Sequence, residues 1–129
     1  VYVWKKNPIA SKSSVSLQEL EKYPCLTFDQ GKTNSFYFAE EVFSTYEYKQ
    51  TIQVDDRASM LNLMVGLNGY TLCSGIICEE LNGSDYAAVP LKETEVMTIG
   101  YVKRKSIQLS ELAQLYVNEL AKYKNLVLK

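Results

Sequence analysis

Apolar and polar positions alternate around Ile52 and Val54, which is the period of a β-strand. Asp55 and Asp56 follow, and a short carboxylate there accepts from the free N–H groups that open a helix. Leu61, Met64 and Val65 then recur at the spacing of one helix face. Asn68-Gly69 predicts the stop, with Gly69 taking the left-handed conformation at little cost. Tyr70, Thr71 and Leu72 resume a strand. Strand, helix and strand in this order predict a parallel pair with a right-handed crossover. The carboxyl ends of such strands are where open α/β sheets bind ligands.

The same reading extends along the chain. Val1, Val3 and Trp4 predict a short strand, ended by Lys5-Lys6-Asn7-Pro8 because proline cannot donate to a ladder. Residues 10–16 are small and polar, a connector. Ser16 and Glu19 form a capping box for a short helix over 17–22, which stops before Pro24. Cys25–Phe28 predicts a strand, and Asp29–Asn34 a polar loop. A helix over 35–46 has Ala39, Val42, Phe43 and Tyr46 on one face. Ile76–Leu81 reads as a short helix ended by Asn82-Gly83. Tyr86–Leu91 reads as a strand that Pro90 confines to an edge or crossover. Met97–Lys103 predicts another strand. Ser110 caps a helix to about Lys124 with Leu112, Leu115, Tyr116 and Leu120 on its inner face.

Strands and helices alternate from 24 to 91, the order of a doubly wound, mostly parallel α/β sheet. Residues 13–92 are therefore expected to form one complete lobe. Residues 1–12 and 93–129 are expected to form part of another. Connectors near 7–13 and 92–96 would cross between them, a two-lobed hinge architecture.

Composition narrows the chemistry. The chain has 129 residues, enough for one domain or one plus part of another. Fourteen Lys and Arg against 15 Asp and Glu leave a formal charge of −1, without the basic footprint of a nucleic-acid binder. There is no histidine, which removes the commonest general base and metal ligand together. No metal site and no cofactor are expected. Cys25, Cys73 and Cys78 fit no disulfide, zinc or C-x-x-C spacing and read as free thiols of a reducing compartment, here the cytoplasm. No apolar run spans a bilayer, so no membrane partner is expected. The opening Val1-Tyr-Val-Trp-Lys-Lys lacks the apolar core of a signal peptide and begins inside a strand pattern. The chain is expected to be a piece of something longer.

Several segments, taken together, resemble one family. Asn7-Pro8-Ile9-Ala10 is similar to an "(H/N)-P-L-A" that follows a crossover strand. The stretch from Val15 to Leu26 is similar to "S-L-x-D-L-x-x-x-P-(F/L)-I". Met64-Val-Gly-Leu-Asn-Gly-Tyr-Thr-Leu72 is similar to "V-x-x-G-x-G-I-x-(L/I)". Ala88-Val-Pro-Leu91, Gly100 to Lys105 and Leu109-Ser110 complete the series. In this order they resemble the effector-binding domain of LysR-type transcriptional regulators, a type 2 periplasmic-binding-protein fold. The resemblance implies a small-molecule effector, a homodimer, and DNA contact only through an N-terminal winged helix-turn-helix that this chain lacks. It also implies lobe II at 13–92 and a partial lobe I from the chain ends. One departure is Cys73-Ser74-Gly75, where the family has "L-P".

Three strand ends converge on one edge, each expected before a helix whose free N–H groups favour anions. The effector-binding residues expected there are Gln30, Gly31, Lys32, Thr33, Asn34, Asp56, Arg57, Ser59, Ser74 and Gly75. A small anion or an amino-acid-like molecule is the expected class. Taken individually, Asn34, Asp55 or Asp56, and Ser74 read more readily as plain helix caps. Cys73 and Cys78 leave open a redox role beside that of inert buried thiols. An enzyme is not expected, since Cys73, Asp55, Asp56 and Lys32 share no catalytic spacing. A fragment of a solute-binding protein of the same fold remains the alternative.

Overall fold

The computed structural model describes residues 1–29, 47–75, 79–93 and 100–122, divided between two units, Val1–Met97 and Thr98–Lys129. In the first unit the strands are β1 (Tyr2–Trp4), β2 (Cys25–Phe28), β3 (Thr51–Val54), β4 (Tyr70–Thr71) and β5 (Tyr86–Ala88). They form one sheet in the order β3-β2-β4-β1-β5. Its helices are α1 (Leu17–Leu20), α2 (Arg57–Leu67) and α3 (Glu79–Asn82), and a 3-10 turn spans Pro8–Ser11. The second unit holds α4 (Glu111–Lys122).

Burial explains the strand order. Cys25, Leu26 and Thr27 are all buried, so β2 needs cover on both faces and takes an interior position. β3 leaves Thr51 and Gln53 exposed and sits at the edge. β2 pairs in parallel with β3, from Cys25–Thr51 to Phe28–Val54, and with β4 at Cys25–Tyr70. The expected direct pairing of the strands flanking α2 is therefore corrected. β3 and β4 run parallel, but β2 lies between them.

β1, from the stretch 1–12 expected with the flanking lobe, lies inside this sheet, antiparallel to both β4 and β5. Val1 and Val3 pack on one face with Ile9, Val15, Leu20, Cys25, Tyr70, Leu72 and Val89. Tyr2 packs on the other with Leu26, Val54, Met60 and Met64. A strand buried on both sides belongs in a sheet interior, and this one makes the sheet mixed rather than mostly parallel. β5 is an edge strand as expected, but it ends at Ala88, so Pro90 lies beyond it rather than within it. The α1–turn layer covers one face and α2 the other, so helical elements flank the sheet on both sides as expected.

Three local details sharpen the reading. The capping box is present: the Ser16 hydroxyl accepts from the Glu19 N–H, and the Glu19 carboxylate accepts from the Ser16 N–H. The buried face of α2 is Met60 and Met64, with Leu61 and Val65 only partly covered, one position off the expected stripe. At its end Asn68, not Gly69, takes the left-handed conformation, at φ 55° and ψ 32°. Gly69 answers a different demand. A Cβ there would lie 3.1 Å from Leu26 Cδ1 and 3.2 Å from the Pro24 carbonyl, because Tyr70 docks directly on Pro24.

The expected helix over 35–46 lies outside the described residues. Of the helix expected over 76–81, the described part is α3, and Gly83 closes it at φ 77° as Asn82-Gly83 predicted. Residues 100–103 form no strand, against expectation. A strand is held only by a ladder partner, and apolar content alone does not supply one. In the second unit, the Ser110 hydroxyl accepts from the Ala113 N–H at 3.3 Å and caps α4 as predicted. Its Leu112, Leu115, Tyr116 and Leu120 are 77%, 62%, 65% and 48% exposed.

Candidate effector site at the sheet edge

The carboxyl ends of β2, β3 and β4 share one edge of the first unit, since the three strands run parallel. Phe28 stands beside Val54, and the Asp29 N–H donates to the Val54 carbonyl at 2.8 Å. The chain leaving β2 thus starts next to Asp55 and Asp56. Gln30, Gly31, Lys32, Thr33 and Asn34 continue from that point and lie outside the described residues. Ser74 and Gly75 follow β4, on the far side of β2 from α2's own strand. Ser74 is exposed, and Gly75 turns the chain at φ 83°.

Asp56 sits at the N-cap of α2 and accepts from the Ser59 N–H at 2.8 Å. The Ser59 hydroxyl, and after it the Ser59 N–H, hold its carboxyl below the usual carboxylate range. The Met60 N–H donates to the Asp56 carbonyl. The first turn of α2 has therefore spent part of its donor set on its own cap. Arg57, the next residue, reaches across to donate to Asn82 Oδ1 at 3.1 Å, joining the start of α2 to the end of α3. A fixed anion and a fixed cation thus stand side by side at this helix start. Among the ten expected site residues, the structure groups Asp56, Arg57 and Ser59 on one helical turn, with Ser74 and Gly75 further along the same edge.

Two residues that the sequence did not single out, Tyr2 and Tyr86, pack on the α2 side of the sheet. Tyr2 is 7% exposed, and its hydroxyl is buried without a hydrogen-bond partner. Its ring stacks on Tyr86 at 5.4 Å between centroids. The Tyr86 hydroxyl donates to the Leu61 carbonyl of α2 at 3.3 Å. Burial raises the pKa of Tyr2, reinforced by Tyr86 and Cys73 and opposed by Arg57, so its hydroxyl stays neutral at physiological pH. Ten tyrosines scattered along the chain offered no signal for this pair. Cys73 is half-buried, with Sγ 3.4 Å from the Gly75 N–H that donates to it. Asn7 is 2% exposed; its Oδ1 accepts from the Ile9 N–H and its Nδ2 donates to the Asn68 carbonyl at 2.8 Å. It joins the turn after β1 to the end of α2 and stands away from the edge. Among the described residues, no group of three His, Cys, Asp or Glu is placed to hold a metal, and no helix is long and apolar enough to cross a membrane.

The family described as the LysR substrate binding domain matches residues 1–124. The chain belongs to that family. Neither the comparison with curated proteins nor that with solved structures gave a match. A LysR substrate-binding domain is a regulatory, ligand-sensing module with a type 2 periplasmic-binding-protein α/β fold, and transcription regulation is its context. The mixed sheet with helices on both faces is the part of that fold seen here.

Proposed function

We propose that this LysR domain senses a small zwitterionic or anionic metabolite at the edge formed by Gln30–Asn34, Asp56–Ser59 and Ser74–Gly75. Residues 13–92, joined by β1, form the effector lobe, and 93–129 contribute to the second lobe. Binding there controls DNA contact by a winged helix-turn-helix of the full-length regulator. The work is done in the cytoplasm by a homodimer, with neither catalysis nor cofactor.

One observation carries the ligand class: Asp56 and Arg57 are adjacent on the first turn of α2. A purely anionic effector gains from Arg57 and the helix dipole but meets the Asp56 carboxylate. A zwitterion satisfies both charges. An amino-acid-like effector is therefore favoured over a simple oxyanion. The alternative, a solute-binding protein of the same fold, shares the edge but not the regulatory context that the family match supplies.

Thermal-shift screening of amino acids and small oxyanions at fixed ionic strength tests the assignment. A hit is expected to lose most of its stabilisation in a Thr33→Ala, Ser74→Ala double variant. Undiminished stabilisation places the effector elsewhere. A hit confined to oxyanions, and strengthened by Asp56→Asn, rejects the zwitterion.

A further inference from the structure

Lys92 and Glu93 are the last described residues before the sequence passes, through 94–99, to the second unit. They are held at two points on the start of α1. Glu93 Oε1 accepts from the Leu17 N–H at 3.1 Å, satisfying one of the open donors of that helix. Lys92 Nζ pairs with Glu19 Oε2 at 3.1 Å. Beneath them runs a short parallel bridge between Val15 and Leu91. In it the Val15 N–H donates to the Pro90 carbonyl at 2.9 Å, and the Lys92 N–H to the Val15 carbonyl at 2.8 Å.

Both attachments are built so that release leaves little behind. Glu19 has other partners: Lys12 on one oxygen, and the Ser16 N–H and hydroxyl on the other. Lys12, Ser16 and Lys92 together hold its carboxyl far below the usual range, and Lys12 is the largest influence. When Lys92 leaves, that carboxylate remains paired. The Lys92 side chain is 54% exposed, so water takes over its charge. Glu93 is only half satisfied when docked, because its Oε2 is buried with no partner. Leaving the site returns that oxygen to water, which offsets part of the lost bond to Leu17.

We propose that Lys92 and Glu93 form a two-point latch, docking the root of the inter-unit connector on the capped start of α1, and that it opens without unfolding the sheet. The latch goes beyond the effector reading and does not depend on it. Its role is conformational: while it is closed, the backbone at Lys92 and Glu93 is held against the start of α1.

Amide hydrogen exchange on the intact chain tests this. The informative amides are Val15 and Lys92, whose acceptors are main-chain carbonyls that no substitution removes. In Glu93→Ala both are expected to exchange about fivefold faster, the usual effect of losing a helix cap. Lys92→Gln is expected to give a smaller acceleration, reproduced in the unaltered chain by raising the salt from about 0.05 to 0.5 M, which screens exposed pairs. The Cys25 amide, which donates to Gln50 within the sheet, is expected not to change. Unchanged exchange at Val15 and Lys92 in both variants overturns the latch. So does equal acceleration at Cys25, because it marks loss of the whole sheet.

Discussion

Replacing Asn68 and Gly69 one at a time separates two demands that the sequence presents as one turn signal. Asn68 holds the left-handed conformation, and Gly69 holds the close approach to β2. Truncating Asn68 to Ala leaves its backbone bonds in place: its N–H still meets the Met64 carbonyl, and its carbonyl still accepts from Asn7. The cost is then conformational, about 1 kcal/mol, toward the lower end of the left-handed penalty for a residue with a Cβ. Asn68→Gly removes that penalty and is expected to stay within about 0.5 kcal/mol of the parent, since glycine also frees the unfolded chain. Gly69→Ala places a methyl 3.1 Å from Leu26 Cδ1, 3.2 Å from Leu26 Cγ and 3.2 Å from the Pro24 carbonyl oxygen.

None of those neighbours can easily give way. Leu26 is fully buried, and the Pro24 carbonyl is held by the Tyr70 N–H at 3.1 Å. Overpacking of this kind costs about 1–3 kcal/mol, offset by about 0.4–1 kcal/mol from the stiffer unfolded chain. Gly69→Ala is therefore expected to be about 1–2 kcal/mol less stable, with Tm lower by about 4–8 °C per kcal/mol for a unit of this size. Urea melts of the three variants at neutral pH, with the slope checked for constancy, read these differences. If Asn68→Ala matches the parent while Asn68→Gly is destabilised, Asn68 does not hold the left-handed turn. If Gly69→Ala is neutral, the approach to Leu26 is looser than described.

Tyr2→Phe deletes a buried hydroxyl that has no partner, so it is expected to stabilise the unit by about 1 kcal/mol in the same urea assay. The Tyr2 pKa is raised on folding, so its contribution is intact below the unfolded value of about 10 and is lost as pH rises toward the folded one; the phenylalanine variant is expected to lose less stability above pH 10. Asp56→Ala is expected to lower the urea midpoint while Asp56→Asn keeps it, because asparagine caps equally well. The Asp56 pKa is lowered on folding, so its charge-dependent contribution is present above about pH 4 and fades as pH falls through the folded value, a fade that Asp56→Asn is expected to lack. Leu115→Lys with Leu120→Lys on exposed α4 is expected to turn a dimer into a monomer by sedimentation at micromolar concentration; a monomeric parent chain rejects the homodimer.

Local signals in the sequence were legible where one residue type had one task. Ser16 and Glu19 could satisfy each other only across a helix start, and they do. Pro90 could not extend a strand ladder, and β5 ends at Ala88 before reaching it. The misplacements arise where a pattern names a residue type without its neighbour. Val1-Tyr-Val reads as a strand, but nothing local says that both of its faces are covered, so its place between β4 and β5 was missed. The stripe Leu61, Met64 and Val65 omits Met60, which with Met64 is the buried part of α2. Met97–Lys103 has strand-like alternation, but its described part has no ladder, and pairing is a property of the partner.

The candidate edge was legible as topology and less so as chemistry. Parallel strands ending together imply open helix starts, and that inference treats every start as an unfilled anion site. At α2 the chain supplies the anion itself. Asp56 accepts from Ser59, and Arg57 turns to Asn82, so the turn is dipolar rather than simply positive. Asp55 stands next to it on the same edge, and Asp29 begins the segment leaving β2. Under the proposed reading, Lys32, Thr33, Asn34 and Ser74 would add donors for an effector carboxylate to the one that Arg57 supplies. In the same reading, Asp56 is the group that would meet an amine. An amino acid can meet both requirements with its own two charges, whereas sulfate or phosphate meets only one. The division assigns separate roles to substitutions along the edge. Thr33→Ala and Ser74→Ala are expected to lower the affinity for any carboxylate, and Asp56→Asn to weaken the preference for ligands that carry an amine.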